Sequence, residues 1–118
     1  MKTIRDINTA LHQFEEASIV HSEATSQCDY KRCNKAYDVI MEAVTFLKKN
    51  DAIIRLVPFL DHYSPGVQTW AASYLLFIQS QEQEAIKTLE QVISTNGPSS
   101  FEAKIVLEEY RNGTLLPY

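Results

Sequence analysis

Glycine is scarce in this chain. Gly66, Gly97 and Gly113 are the only three in 118 residues, and they lie too far apart to build the Gly-x-Gly-x-x-Gly or Walker loops whose backbone cradles a phosphate. Nucleotide use is therefore not expected. Cysteine is scarcer still, with Cys28 and Cys33 alone, which rules out the multi-bridge framework of a small secreted domain. Five residues apart on a continuing helix, they would point to different sides, and a bridge would need a local break. Reduced thiols are expected. Long apolar runs are also missing: the longest, Trp70 to Ile78, is nine residues, whereas a membrane-spanning helix needs about twenty. The opening Met1-Lys2-Thr3-Ile4-Arg5-Asp6 reaches charged residues before an apolar run can build, so no secretory signal is read there, and a cytoplasmic location without membrane association is expected. Positive charge is short as well. Eleven Lys and Arg face 15 Asp and Glu, for a net charge of -4, which argues against a direct nucleic-acid binder, since such proteins need cations to displace counterions from phosphates.

Reactive constellations are equally thin. His21, Cys28 and Cys33 supply three conceivable metal ligands, but no fourth follows and neither the Cys-x-x-Cys nor the His-Glu-x-x-His spacing occurs. No metal and no cofactor are expected. His12, His21 and His62 each lie outside any recognised motif with a Ser or Cys nucleophile, and read as exposed or packing histidines, although residues distant in sequence can meet in the fold. Glu15-Glu16 and Glu108-Glu109 are paired acids, but neighbours on a helix diverge by about 100 degrees and cannot form a catalytic pair alone. No catalytic residue is assigned, and the chain is not expected to be an enzyme.

What is present is helical periodicity in a chain that is 45% hydrophobic and 22% charged, values ordinary for one globular domain spanning 1–118. The segment from Ser64 to Ile78 is the clearest. Ser64 can cap, Pro65 suits the first helical position, and Val67, Trp70, Ala71, Tyr74, Leu75 and Ile78 form one stripe while Ala72, Leu76 and Phe77 add apolar surface outside it. Such a helix is buried on two sides, with Trp70 largely covered. Around it, Ile4, Ile7, Leu11, Phe14 and Ala17 mark a helix over about Thr3 to Ala24. Cys33, Ala36, Tyr37, Ile40, Val44 and Leu47 mark a second, ended by Lys48-Lys49-Asn50. Asp51 is a plausible cap for a third carrying Ile53, Ile54, Leu56, Val57 and Leu60, with Pro58 expected to kink or shorten it. Glu82 to Thr95 carries Ala85, Ile86, Leu89, Val92 and Ile93 and stops at Asn96-Gly97-Pro98, where the glycine can turn left-handed. The last helix, capped by Ser99 or Ser100, points Ala103, Val106, Leu107 and Tyr110 inward and closes at Asn112-Gly113. Strand alternation is absent.

The Leu56 and Ser64 helices overlay the last two with an offset of a little more than thirty residues: Leu56 falls on Leu89, Leu60 on Ile93, Ala72 on Ala103 and Leu76 on Leu107. Two helical hairpins in series with a small residue at one place in each second helix suggest an all-α superhelix of about three stacked hairpins, of HEAT or armadillo kind, in six or so helices. A plain helical bundle is the alternative.

Val67-Gln68-Thr69-Trp70-Ala71-Ala72-Ser73-Tyr74-Leu75-Leu76, then Glu84-Ala85-Ile86-Lys87-Thr88-Leu89-Glu90, then Phe101-Glu102-Ala103 and Leu107-Glu108-Glu109-Tyr110-Arg111-Asn112-Gly113-Thr114-Leu115 resemble the small bacterial HEAT-like family labelled domain of unknown function two-thousand-nineteen. The likeness covers roughly the C-terminal two thirds. Where such repeats commonly carry arginine, this chain has Gln68. The resemblance implies an α-α superhelix with no known catalysis, and by analogy an immunity protein that neutralises a cognate bacterial toxin, as in contact-dependent growth inhibition.

Charge gives that analogy a physical form. Glu82, Glu84, Glu90, Glu102, Glu108 and Glu109 crowd the last two helices, opposed only by Lys87, Lys104 and Arg111. A nuclease holds its substrate in a cationic cleft, so an acidic, rigid helical face can dock there and occlude it. Glu82, Glu84, Glu102, Glu108 and Glu109 are the partner-binding candidates; ordinary surface polarity is the plainer explanation. Lys31, Arg32 and Lys35 beside Tyr30 form the one basic-aromatic cluster, able to touch an anion or to serve as a solvated first turn. A HEAT-like adaptor joining two other proteins is the alternative function.

Overall fold

The computed structural model describes residues 4–116. Five α-helices carry the fold, α1 (Ile7–Ser26), α2 (Tyr30–Lys49), α3 (Pro65–Leu75), α4 (Glu82–Ser94) and α5 (Ser100–Asn112), with 3-10 helices at Ile53–Asp61 and Gln79–Gln81. Among the described residues there is no strand. The fold is all-α, with the repeat-like helical character expected from the periodicity.

Three helix starts are set by side chains that accept the otherwise orphaned amide hydrogens of a first turn. Asp6 accepts from the Thr9 amide at 2.7 Å, Asp29 from Arg32 at 3.2 Å and Ser64 from Val67 at 3.4 Å. The Asp6 cap explains why α1 begins at Ile7 and not at Thr3, the expected start, which itself lies outside the described residues. The Thr9 backbone N–H is also the main reason the Asp6 carboxyl sits below its ordinary pKa, because the bond favours the ionised form. Asp51 and Gly97 do not play their expected parts. Asp51 is not a cap but turns left-handed at φ 54 just after α2, and Asn96, not Gly97, takes the left-handed position after α4 at φ 53; aspartate and asparagine tolerate that region best among residues with a Cβ. Gly113 closes α5 at φ 76 as expected.

The third expected α-helix is instead a nine-residue 3-10 helix containing Pro58. Proline has no N–H, and in an α-helix its ring would press on the carbonyl four residues back, at Ile54. Bonds to the third residue back avoid that clash, and such bonds bracket the segment: Arg55 N–H to Ala52 at 2.9 Å and His62 N–H to Phe59 at 3.1 Å. Gln68 donates its amide to the Leu60 carbonyl at 2.9 Å and ties α3 to the end of this segment. The repeat overlay holds for burial at Leu56 with Leu89, Ala72 with Ala103 and Leu76 with Leu107, but not at Leu60 with Ile93, where Leu60 is buried and Ile93 half-buried. It does not hold for helix type, since Leu56 lies in a 3-10 helix and Leu89 in an α-helix.

Packing divides the chain into two compact units, Met1–Arg55 and Leu56–Tyr118. In the first, α1 lies against α2. Ala10, Phe14, Ala17 and Ala24 from α1 and Ala36, Ile40, Ala43 and Leu47 from α2 are buried, and so many alanines let two backbones approach closely around Phe14. The buried stripe of α1 is rotated from the expected one, leaving Ile7 and Leu11 half-buried, and Tyr37, expected inside α2, is exposed. In the second unit, α3 packs on α4 and α5 and α4 on α5. The two-sided burial of α3 is met by Val67, Ala71 and Leu75 on one side and Ala72 and Leu76 on the other. Trp70, however, is only half-buried and lies near-parallel to Tyr74, with ring centroids 6.4 Å apart. Smaller residues fill the centre, and the indole stays at its edge.

Candidate functional site

The acidic residues of α4 and α5 belong to the second unit, and their surroundings differ. Glu82 is half-buried and accepts a hydrogen bond from the Tyr110 hydroxyl, which also lies 3.2 Å from the Leu76 carbonyl. That bond, with burial and the carboxylate charge behind it, holds the Tyr110 phenol above its ordinary pKa. Of the five partner-binding candidates, Glu82 is thus spent on joining α4 to α5. Glu84 is exposed and pairs with Lys87 one turn on, at 3.8 Å. Glu90 pairs with Arg111 across the two helices at 3.6 Å. Glu102 and Glu109 are half-buried and Glu108 is exposed.

Two residues not among the candidates complete this surface. Phe101 is 71% exposed and Ile105 is 37% exposed, and with Glu108 and Asn112 they stand at successive helical spacings on the face of α5 opposite buried Ala103 and Leu107. The signal was in the sequence, since 101, 105, 108 and 112 keep the same spacing as the inward stripe but lie out of phase with it. An exposed aromatic in line with acids can bury itself against an apolar spot while the carboxylates meet cations around it.

The histidines fall into three environments. His12 is exposed and 3.1 Å from Glu16. His62 accepts the Ser64 amide N–H on Nδ1 at 3.0 Å and stacks on Tyr63 with centroids 4.4 Å apart, a role in the turn before α3. His21 belongs to no recognised motif, yet it meets a nucleophile in the fold: its Nε2 lies 3.3 Å from Cys33 Sγ, and Thr25 Oγ1 lies 3.4 Å from the same sulfur. The turn between α1 and α2 brings them together across 12 residues of sequence. Cys28, in that turn at φ 56, is exposed, and both thiols are free. Among the described residues no three His, Cys, Asp or Glu side chains converge on a metal-sized site.

The basic cluster lies beside this pair. Arg32 donates to the Gln27 side chain at 3.0 Å and lies 3.7 Å from Glu23, while Lys31 and Lys35 are exposed. Arg32 and Lys35 also border an open groove of about 390 Å³ between α1 and α2, floored by Ala17, Val20, Ala36 and Val39. Among the described residues, no helix is long and apolar enough to cross a membrane. Compared with family models, with curated proteins and with solved structures, the chain finds no match.

Proposed function

We propose that this chain is a non-catalytic binding protein, in its most concrete form an immunity protein that docks the outward face of α5, with α4 beside it, onto a basic bacterial toxin domain such as a nuclease and occludes its active site. One observation carries the reading: Phe101 and Ile105 stand exposed in line with Glu108, on the part of the chain where six acids face three bases. An apolar anchor on a surface where acids outnumber bases suits a partner whose cleft must be cationic to hold nucleic acid. The acids steer the encounter, and the anchor slows departure. The resemblance of the segments from Val67 to Leu115 to a HEAT-like family agrees with a rigid docking scaffold, and fold analogy alone does not reach further than that.

The test is co-expression with the C-terminal domain encoded by the adjacent upstream reading frame. Growth should be rescued, and Phe101→Ala should weaken the complex by at least about tenfold, as expected for a central aromatic anchor. The adaptor reading is favoured by exposed Tyr30 and Tyr37 on α2, which offer a second apolar surface on a different element. A complex that forms but leaves the toxin active would select the adaptor; failure to bind a basic domain at all would reject the occlusion mechanism.

A further inference from the structure

At the α1–α2 turn a thiol, an imidazole and a hydroxyl converge. Thr25 spends its hydroxyl hydrogen on the His21 carbonyl at 2.8 Å, so toward Cys33 it can only accept. With the imidazole hydrogen on Nδ1, the Cys33 hydrogen lies between two acceptors, the Thr25 oxygen and His21 Nε2, and the imidazole is the one able to take it as a proton. Cys33 sits in the second turn of α2, held against α1 by these contacts.

We propose that Cys33 is a thiol-modification site that reacts with low-molecular-weight disulfides, with His21 as its base. The reaction is an exchange. The Cys33 proton moves to His21 Nε2, and the thiolate attacks one sulfur of the disulfide. The S–S bond breaks as the new Cys33 S–S bond forms, and the departing thiolate takes the proton from the imidazolium. Cys33 is oxidised and the small disulfide is reduced to one thiol, with no other reactant. A half-buried sulfur carrying such an adduct can no longer rest between His21 and Thr25, so modification would loosen the turn that joins α1 to α2.

Cys28 is the internal control, because it is the more exposed thiol of the two and exposure alone would make it the faster. The native protein is incubated with glutathione disulfide, quenched with acid, digested, and the two cysteines are quantified by mass spectrometry. The measurement is repeated in urea, where the fold no longer distinguishes them. Folding should raise the ratio of Cys33 to Cys28 modification, on the order of tenfold, as expected for a paired and an unpaired thiol. His21→Gln should abolish that rise. A ratio that folding leaves unchanged or lowers overturns the proposal, as does an unchanged ratio in a His21→Gln protein whose circular dichroism is native; the wild-type comparison decides the matter should that variant not fold.

Discussion

Tyr110 is the residue whose chemistry is most readily measured. Its hydroxyl holds Glu82 and lies near the Leu76 carbonyl, so Tyr110→Phe should cost about 1 kcal/mol, the net value of a typical intramolecular hydrogen bond. The phenol pKa is raised in the folded chain, which means the neutral form is the one the fold favours. That contribution is fully present below the unfolded tyrosine pKa of about 10, and it is lost as pH rises through the higher folded value. Melts of wild type and Tyr110→Phe should therefore differ at neutral pH and converge in alkali. Trp70 and Leu75 make a second comparison. Leu75 is fully buried and Trp70 is half-buried, so Leu75→Ala should cost about 2 to 5 kcal/mol, while Trp70→Ala should fall below the 3 to 5 kcal/mol typical of a core tryptophan. Urea midpoints would reverse that order only if the indole were the centre of the unit. The half-burial of Trp70 was not legible in the sequence, because periodicity says which face a residue occupies and not how far the neighbouring helix extends over it.

At the scale of the element, local rules explain most boundaries. Ser64, Pro65, Asn50 and Gly113 act within four residues of themselves, so their effects survive whatever packs around them. Gly113 sits at φ 76, with open space where a Cβ would be; Gly113→Ala should cost about 1 kcal/mol from backbone strain alone. Gly113→Asn should cost less, and a calorimetric melt of the two variants tests that ranking. The Ile53–Asp61 segment shows where local rules stop short. Pro58 announced a disturbed helix, yet a kink, a shortened α-helix and a 3-10 helix all relieve the same missing N–H. The choice among them depends on where Leu56 and Leu60 must be buried and on the Gln68 bond to the Leu60 carbonyl.

At the scale of the whole molecule, charge is the property most open to test. The net charge is -4, and replacing Glu102, Glu108 and Glu109 together by glutamine removes three negative charges without a large change in helix propensity. Helicity should persist, while association with a basic partner slows. Raising salt should then slow the variant less than the wild type, because screening acts on charge the variant has lost. Stopped-flow rates at two ionic strengths would show it. Equal rates and equal salt slopes would move the interface away from α5, leaving the exposed tyrosines of α2 as the next surface to examine. Of this candidate face the acids were legible as a composition bias, and Phe101 and Ile105 as an out-of-phase stripe. What was hidden is that Glu82 is occupied by Tyr110, a partner 28 residues away.

The amino-acid sequence by itself determined that the chain is helical, where most helices begin and end, and which side of α3 to α5 turns inward, because each of these follows from interactions spanning three or four residues. It also determined the sign and crowding of charge on α4 and α5. Only the tertiary structure decided that His21 meets Cys33, that Glu82 is held by Tyr110, that Trp70 stays at an edge and that α1 buries its alanines in preference to Ile7 and Leu11. In each of these, a side chain's surroundings come from another helix or from a turn that folds the chain back. The distance along the sequence between such partners carries no periodic signal, so their meeting is settled by how the helices pack.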